Sequence, residues 1–218
     1  IKNGDFEQGE IGDTSIPGWD IINAQVRLNG VDSVVGHATP QDIVFPATVD
    51  NNQSAPYDGN VNAATYQGAL DGETPPGSDK SVMLSSTNVN VPGFGILHGP
   101  YLASQTSVKL EEGDEIAFDW RALGGSDAYD VMGYLVDEDT GHIEEILNET
   151  GADADAETIW STETKKVSKD GQYKFVFIAG TWDASGGSAA GAKLYIDNVK
   201  VTTMPDLSMG AIQELGRR

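Results

Sequence analysis

Apolar and polar residues alternate over much of the second half of this chain. The runs Ile116-Ala117-Phe118-Asp119-Trp120, Val131-Met132-Gly133-Tyr134-Leu135-Val136, Tyr173-Lys174-Phe175-Val176-Phe177-Ile178 and Lys193-Leu194-Tyr195-Ile196-Asp197-Asn198-Val199-Lys200-Val201 carry this pattern. A period of two predicts strands with one face buried. Between them, Glu112-Gly113-Asp114, Asp139-Thr140-Gly141 and Lys169-Asp170-Gly171 set a glycine beside an acidic residue, the chemistry of tight hairpin connections. Many short strands at close spacing, with no helical period, predict an all-β antiparallel sandwich.

From about 29 to 80 the pattern changes. Gly, Pro, Asn and Asp crowd this stretch, and its aromatic residues are Phe45, Tyr57 and Tyr66. It reads as long loops, either functional or a decorative insertion, since structureless connections of this length are uncommon in compact domains. The domain is expected to span 1–203 as a single sandwich. Beyond Pro205, residues 204–218 are a linker or a short terminal helix, with Leu207, Ala211, Ile212 and Leu215 able to share one helical face.

The 218 residues are enough to bury a hydrophobic core without disulfides. With no cysteine, thiol catalysis and Cys-ligated zinc are excluded. Thirteen Lys plus Arg against 34 Asp plus Glu give a formal net charge of -21, which repels phosphate backbones and anionic membrane surfaces. Nucleic acid is therefore not an expected partner. So large an excess of carboxylates is either a solvated surface suited to salty water or, at a few positions, a set of oxygen ligands for a hard cation such as Ca²⁺. No apolar run approaches the roughly 20 residues that span a bilayer, so membrane insertion is not expected. The chain opens at Ile1 without Met or a charged-then-apolar leader, as expected of a processed or excised piece of a longer protein.

Catalytic patterns fail one by one, and the protein is read as a non-enzyme. His37, His98 and His142 lie far apart in no metal-ligand spacing. Gly186-Gly187-Ser188-Ala189 is followed by Ala190, which breaks a nucleophile elbow. Gly93-Phe94-Gly95 lacks the third glycine of a dinucleotide fingerprint. Glu144 and Glu145 are neighbours on one strand and point to opposite faces, so they cannot flank one glycosidic bond.

The opening Asn3-Gly4-Asp5-Phe6-Glu7, then Ile16-Pro17-Gly18-Trp19, and the closing Tyr195-Ile196-Asp197-Asn198-Val199 form a frame. This frame resembles the first and last strands of galactose-binding-like jelly rolls, a class that includes many carbohydrate-binding modules. The later runs His98-Gly99-Pro100-Tyr101, Phe118-Asp119-Trp120, Gly124 to Val131, Tyr134 to Asp137 and Tyr173 to Gly187 extend the likeness. From about Asn3 to Val201 the chain resembles a domain of large repeats-in-toxin adhesins of aquatic bacteria. The resemblance implies that first and last strands lie together around a structural Ca²⁺, with Glu7 and Asp197 as carboxylate ligands and Asn3 or a nearby carbonyl completing the set. It also implies an extracellular bacterial cell-surface location, attachment as the role, and monomeric behaviour. The expected partners are a glycan or peptide on a cell surface, or neighbouring adhesin domains. Trp19, after Pro-Gly, is expected to be a core aromatic.

Two glycine-rich acidic loops, Gly124 to Asp130 and Thr181 to Gly187, leave two readings open. Asp127, Asp130 and Asp183 form a second calcium or ligand site if the loops meet, or they are simply two acidic turns. Trp182, Asp183 and Tyr57 are the candidate ligand-binding residues. Besides the adhesin reading stands a carbohydrate-binding module of a secreted polysaccharide-degrading enzyme, which would expose a flat aromatic platform. Trp182 and Trp160 are the residues whose exposure bears on it.

Overall fold

The computed structural model describes residues 1–13, 15–22, 25–26, 49–50, 62–67, 74–85, 91–92, 96–125, 127–182, 184, 188–189 and 191–202. Its strands, in chain order, are β1 (Trp19–Ile22), β2 (Gln25–Val26), β3 (Val49–Asp50), β4 (Asn62–Gln67), β5 (Ser81–Ser85), β6 (Val91–Pro92), β7 (Ile96–Ser104), β8 (Val108–Leu110), β9 (Glu115–Gly124), β10 (Ala128–Asp137), β11 (His142–Thr150), β12 (Ser161–Lys166), β13 (Gly171–Trp182), β14 (Ser188–Ala189) and β15 (Ala192–Thr202). One antiparallel sheet runs β1-β7-β13-β10-β11, with β8 also paired to β13, and the other runs β12-β9-β15-β5-β4. Two short pairs, β14-β6 and β2-β3, lie apart. The fold is an all-β antiparallel sandwich whose chain passes repeatedly between sheets in jelly-roll fashion.

Between the sheets lies one apolar cluster. Leu102, Val131, Leu135, Phe175 and Phe177 come from the first sheet, and Val82, Leu84, Ile116, Phe118, Trp120, Leu194 and Ile196 from the second. Phe177 is its centre: Phe118 meets it edge-on at 5.0 Å between ring centroids, and Trp19 packs at 6.4 Å with Phe6 behind it at 5.2 Å. Truncating such a residue costs about 3–5 kcal/mol. Trp19 is a core aromatic, as expected.

The four alternating runs all lie on strands, within β9, β10, β13 and β15. Three expectations need correction. First, β10 is not half-buried: every residue from Ala128 to Asp137 is buried. Met132, Tyr134, Val136, Val176 and Ile178 form a second apolar cluster on the other face of the first sheet. The unbroken apolar run Val131 to Val136 carries that signal, because strands covered on both sides lose their polar alternation. Second, only Asp139-Thr140-Gly141 closes a hairpin, between β10 and β11. Glu112-Gly113-Asp114 and Lys169-Asp170-Gly171 join strands of different sheets, β8 to β9 and β12 to β13; the same turn residues serve a corner as well as a hairpin. Third, the stretch read as loops contains β4, which pairs with β5 at the edge of the second sheet. Its sequence, Asn-Ala-Ala-Thr-Tyr-Gln, has no apolar alternation to betray it. The tail reading at 204–218 lies outside the described residues.

Candidate functional site

Three places in the sandwich gather polar or aromatic chemistry. The first joins the start of the chain to β15. After Asp197 the pairing of β15 slips, and Asn198 adopts a left-handed φ of 51°, a conformation that Asn tolerates better than most residues. The slip turns the Val199 N–H toward the Gly4 carbonyl, at 2.7 Å. A Cβ at Gly4 would collide with the Val199 carbonyl oxygen, so glycine is what lets the two segments touch. Glu7 then caps a turn 71 to 73 residues away: its Oε1 accepts from the Ser78 hydroxyl at 2.9 Å, the Asp79 N–H at 3.0 Å and the Lys80 N–H at 3.1 Å. Lys80 Nζ donates to the Glu7 and Gly9 carbonyls at 3.1 and 2.6 Å.

Asp197 faces this corner. It is 0% exposed; Oδ1 accepts the Asn198 N–H at 2.7 Å, and among the described residues Oδ2 has no hydrogen-bond partner, the Ser78 hydroxyl being given to Glu7. Burial pushes its carboxyl up to about 7, against the lowering effect of the nearby Ser78 hydroxyl and the Asn198 N–H, and the charges of Glu7 and Asp119 raise it further. The start of the chain thus meets the last strand at Gly4 and Val199, with Glu7 near enough for its charge to act on Asp197. Asn3 serves the same corner differently. Its amide donates to Pro17 O at 3.0 Å and accepts Gln8 N–H at 3.0 Å, while its carbonyl accepts the Trp19 indole N–H at 3.0 Å. Among the described residues no three His, Asp or Glu side chains converge as a metal-ligand group. A cation at this corner would therefore rest on two carboxylates, with carbonyls and the Ser78 hydroxyl as the remaining oxygens.

The second place is where the two glycine-rich loops meet. Asp127 Oδ1 accepts from Ala128 N at 3.0 Å and from Ala184 N at 2.7 Å, linking one loop to the other, and its buried Oδ2 has no partner among the described residues. Asp130 differs. Its Oδ2 lies 2.8 Å from His98 Nε2 and its Oδ1 accepts the Thr150 hydroxyl at 3.0 Å, so both oxygens are already engaged by side chains. The register explains this: Asp130 lies opposite Thr150 on β11, and His98 enters from β7. Trp182, half-buried at the end of β13, donates its indole N–H to Gly151 O at 3.2 Å. Asp183 and Tyr57 lie outside the described residues.

Of the third place the sequence pointed only to Trp160, as an aromatic whose exposure bears on sugar binding. An open cleft of about 400 Å³ is lined by Arg121, Glu157, Thr158, Ile159 and Trp160. Segment 156–160 extends β12 along β9: Thr158 N–H bonds Ala122 O at 2.9 Å and the Thr158 hydroxyl accepts Ala122 N–H at 3.0 Å. Arg121 is fixed by Thr158 O at 3.1 Å and by Glu157 Oε2 at 3.4 Å. Trp160 packs on Tyr195 of β15 with ring centroids 6.2 Å apart. Two consecutive bulky apolar residues between polar neighbours, Ile159-Trp160 between Thr158 and Ser161, were the available signal.

No protein-family model and no curated protein matches the chain. Among solved structures it is similar to the enzymatically active domain of tailspike protein 4 of bacteriophage CBA120, at 12% identity and a TM-score of 0.45, over 94% of this chain and 21% of that one. The chain thus spans about a fifth of that protein. A family 28 carbohydrate-binding module specific for non-crystalline cellulose matches at 12% identity and a TM-score of 0.44, over 94% and 95% of the two chains. A family 61 module in complex with β-1,4-galactotriose matches at 10% identity and a TM-score of 0.38, over 69% and 90%. At such scores the similarity is one of outline, and neither ligand nor activity passes from those proteins to this one.

Proposed function

We propose that this chain is a non-catalytic, calcium-dependent extracellular domain of a bacterial adhesin that binds a glycan or holds the module that does. The observation that carries the reading is the Asp197 corner. A fully buried carboxylate oxygen without a partner, next to the Glu7 carboxylate, is a costly arrangement for the metal-free protein. A Ca²⁺ ion supplies what it lacks, because calcium takes six to eight oxygens in flexible geometry. Bound there, it would tie the first residues to the last strand through Glu7 and Asp197. Asp127, with a second unpartnered oxygen, is a further candidate ligand, together with Asp183.

The test is thermal unfolding at constant high ionic strength, so that screening of the -21 charge does not imitate binding. Free calcium at 100 times its dissociation constant adds about 2.7 kcal/mol. At about 2–4 °C per kcal/mol for a domain of this size, chelation should lower Tm by about 5–10 °C, and calcium, not magnesium, should restore it. Asp197→Ala should remove most of that response. Equal melting of wild type and variant in calcium and in chelator would defeat the assignment.

A second reading, a carbohydrate-binding module of a secreted polysaccharide-degrading enzyme, is favoured by the open cleft beside Trp160. Arrays of cell-surface glycans, peptides and soluble polysaccharides, each run with calcium and with chelator, separate the two. Cell-surface ligands held only in calcium support the adhesin; polysaccharide binding indifferent to calcium supports the module.

A further inference from the structure

We propose that the glycan site of this domain is the Trp160 cleft on the outer face of the second sheet, and that it takes a neutral sugar chain and not an acidic one. The inference rests on the glycan-binding reading above and adds the place and the ligand class.

Position comes first. Arg121 and Tyr195 are register partners on β9 and β15, and the pairing of Ser161 with Trp120 sets Trp160 beside Arg121. Tyr195 is buried and supports the Trp160 ring from within the sheet. An indole so backed offers an apolar surface of the kind that sugar rings cover with their C–H faces. Next to it Ile159 is 82% exposed, the most exposed large apolar side chain among the described residues. An isolated exposed isoleucine needs no explanation, but Ile159 lines the same cleft as the half-buried Trp160 and adds apolar surface at its edge. The cleft volume of about 400 Å³ lies within the roughly 300–1,000 Å³ range of small-ligand sites, and its open form lets a polymer enter and leave.

Polarity comes second. Arg121, Glu157 and Thr158 line the same cleft, supplying a planar donor fork, an acceptor carboxylate and a hydroxyl. A sugar hydroxyl both donates and accepts, so it can bond to the carboxylate and to the guanidinium. A sugar's carboxylate or sulfate group can use only the donors, would face Glu157, and would approach a chain of net charge -21. The mixed lining therefore selects hydroxyls over anions.

The experiment is isothermal titration calorimetry of the whole chain in calcium with three probes: cellohexaose, mannohexaose and hexagalacturonate. At least one neutral hexaose should bind, and hexagalacturonate should bind at least about tenfold more weakly. Trp160→Ala should weaken that binding about tenfold or more, as loss of a central aromatic anchor does. Because Trp160 also packs on Tyr195, Ile159→Asp serves as the second variant. It alters an exposed side chain, should leave Tm within about 2 °C, and should still cost about fivefold in affinity. If a neutral hexaose binds but both variants bind it as wild type does, the cleft is overturned while the glycan-binding reading stands. Tighter binding of hexagalacturonate overturns the ligand class. Binding of none of the three, with the calcium-dependent Tm intact, overturns the glycan site and leaves the calcium assignment in place.

Discussion

Asp130 and Asp197 are both buried carboxylates on strands, 1% and 0% exposed, and they are satisfied to different degrees. Asp130 has a side-chain partner on each oxygen, His98 on one and Thr150 on the other. Asp197 has a backbone N–H on one oxygen, nothing on the other, and a second carboxylate nearby. The difference teaches where to look for what a structure without ligands leaves unsaid. A buried acid whose valences are filled by its own chain is structural. A buried acid with an unfilled valence holds its proton more tightly or waits for a cation, because an isolated charge away from water is costly.

Breaking the filled site should have the largest effect. His98→Ala removes the side chain that bonds Asp130 Oδ2 and leaves that oxygen buried, at a cost of about 3 kcal/mol or more. At about 2–4 °C per kcal/mol the melting temperature should fall by about 6–12 °C, equally in calcium and in chelator. A loss that appeared only in calcium would mean that Asp130 belongs to a metal site after all.

The unfilled site should respond to pH, with a smaller slope and a definite sign. Asp197 has its folded pKa raised to about 7, above its value of 3.8 as a free side chain. Between those values the folded chain keeps a proton that the unfolded chain has released. Stability in chelator should therefore fall as pH rises from about 4 to about 7, by up to about 1.4 kcal/mol per unit, and this contribution should level off above. Asp197→Asn has nothing to titrate and should remove that slope, melting above wild type in chelator at pH 8. Calcium should flatten the wild-type slope as well. A wild-type slope that persists unchanged in Asp197→Asn assigns the titration to another group.

The sequence made these two aspartates look alike. Each stands in an acidic, glycine-containing or Asn-containing run, and what separates them is contributed from far away: His98 is 32 residues from Asp130, and Ser78 is 71 from Glu7. Strand identity was legible where alternation is strong, as in β9, and where apolar residues run on, as in β10 and β13, but burial on both faces of the latter two was not read. It was not legible in β4, whose residues follow no such pattern, nor in the choice between corner and hairpin at Glu112-Gly113-Asp114, where local turn chemistry is the same. The nearness of the first residues to the last strand was legible only through the resemblance to jelly-roll domains. Trp160 was legible as an aromatic whose exposure matters, but the place of Arg121 beside it needed the register of three strands.

The smallest effect expected is also the finest test of the comparison. Trp182 holds Gly151 O by its indole N–H, and the preceding residue, Thr150, holds Asp130 by its hydroxyl. Trp182→Phe keeps the ring and loses one hydrogen bond, worth about 1 kcal/mol, for a Tm shift of about 2–4 °C. If the Asp130 network and the Trp182 anchor fix the same end of β11, then Trp182→Phe and His98→Ala should be non-additive by about 0.5 kcal/mol or more, as residues in one network are. Trp182→Phe combined with Asp197→Asn should instead add within about 0.3–0.5 kcal/mol, since the two share no partner. Urea titrations of the three single and two double variants measure both couplings. Additivity in both would show that the His98–Asp130–Thr150 group is a set of separate contacts, and the contrast with Asp197 would then rest on the single unfilled oxygen alone.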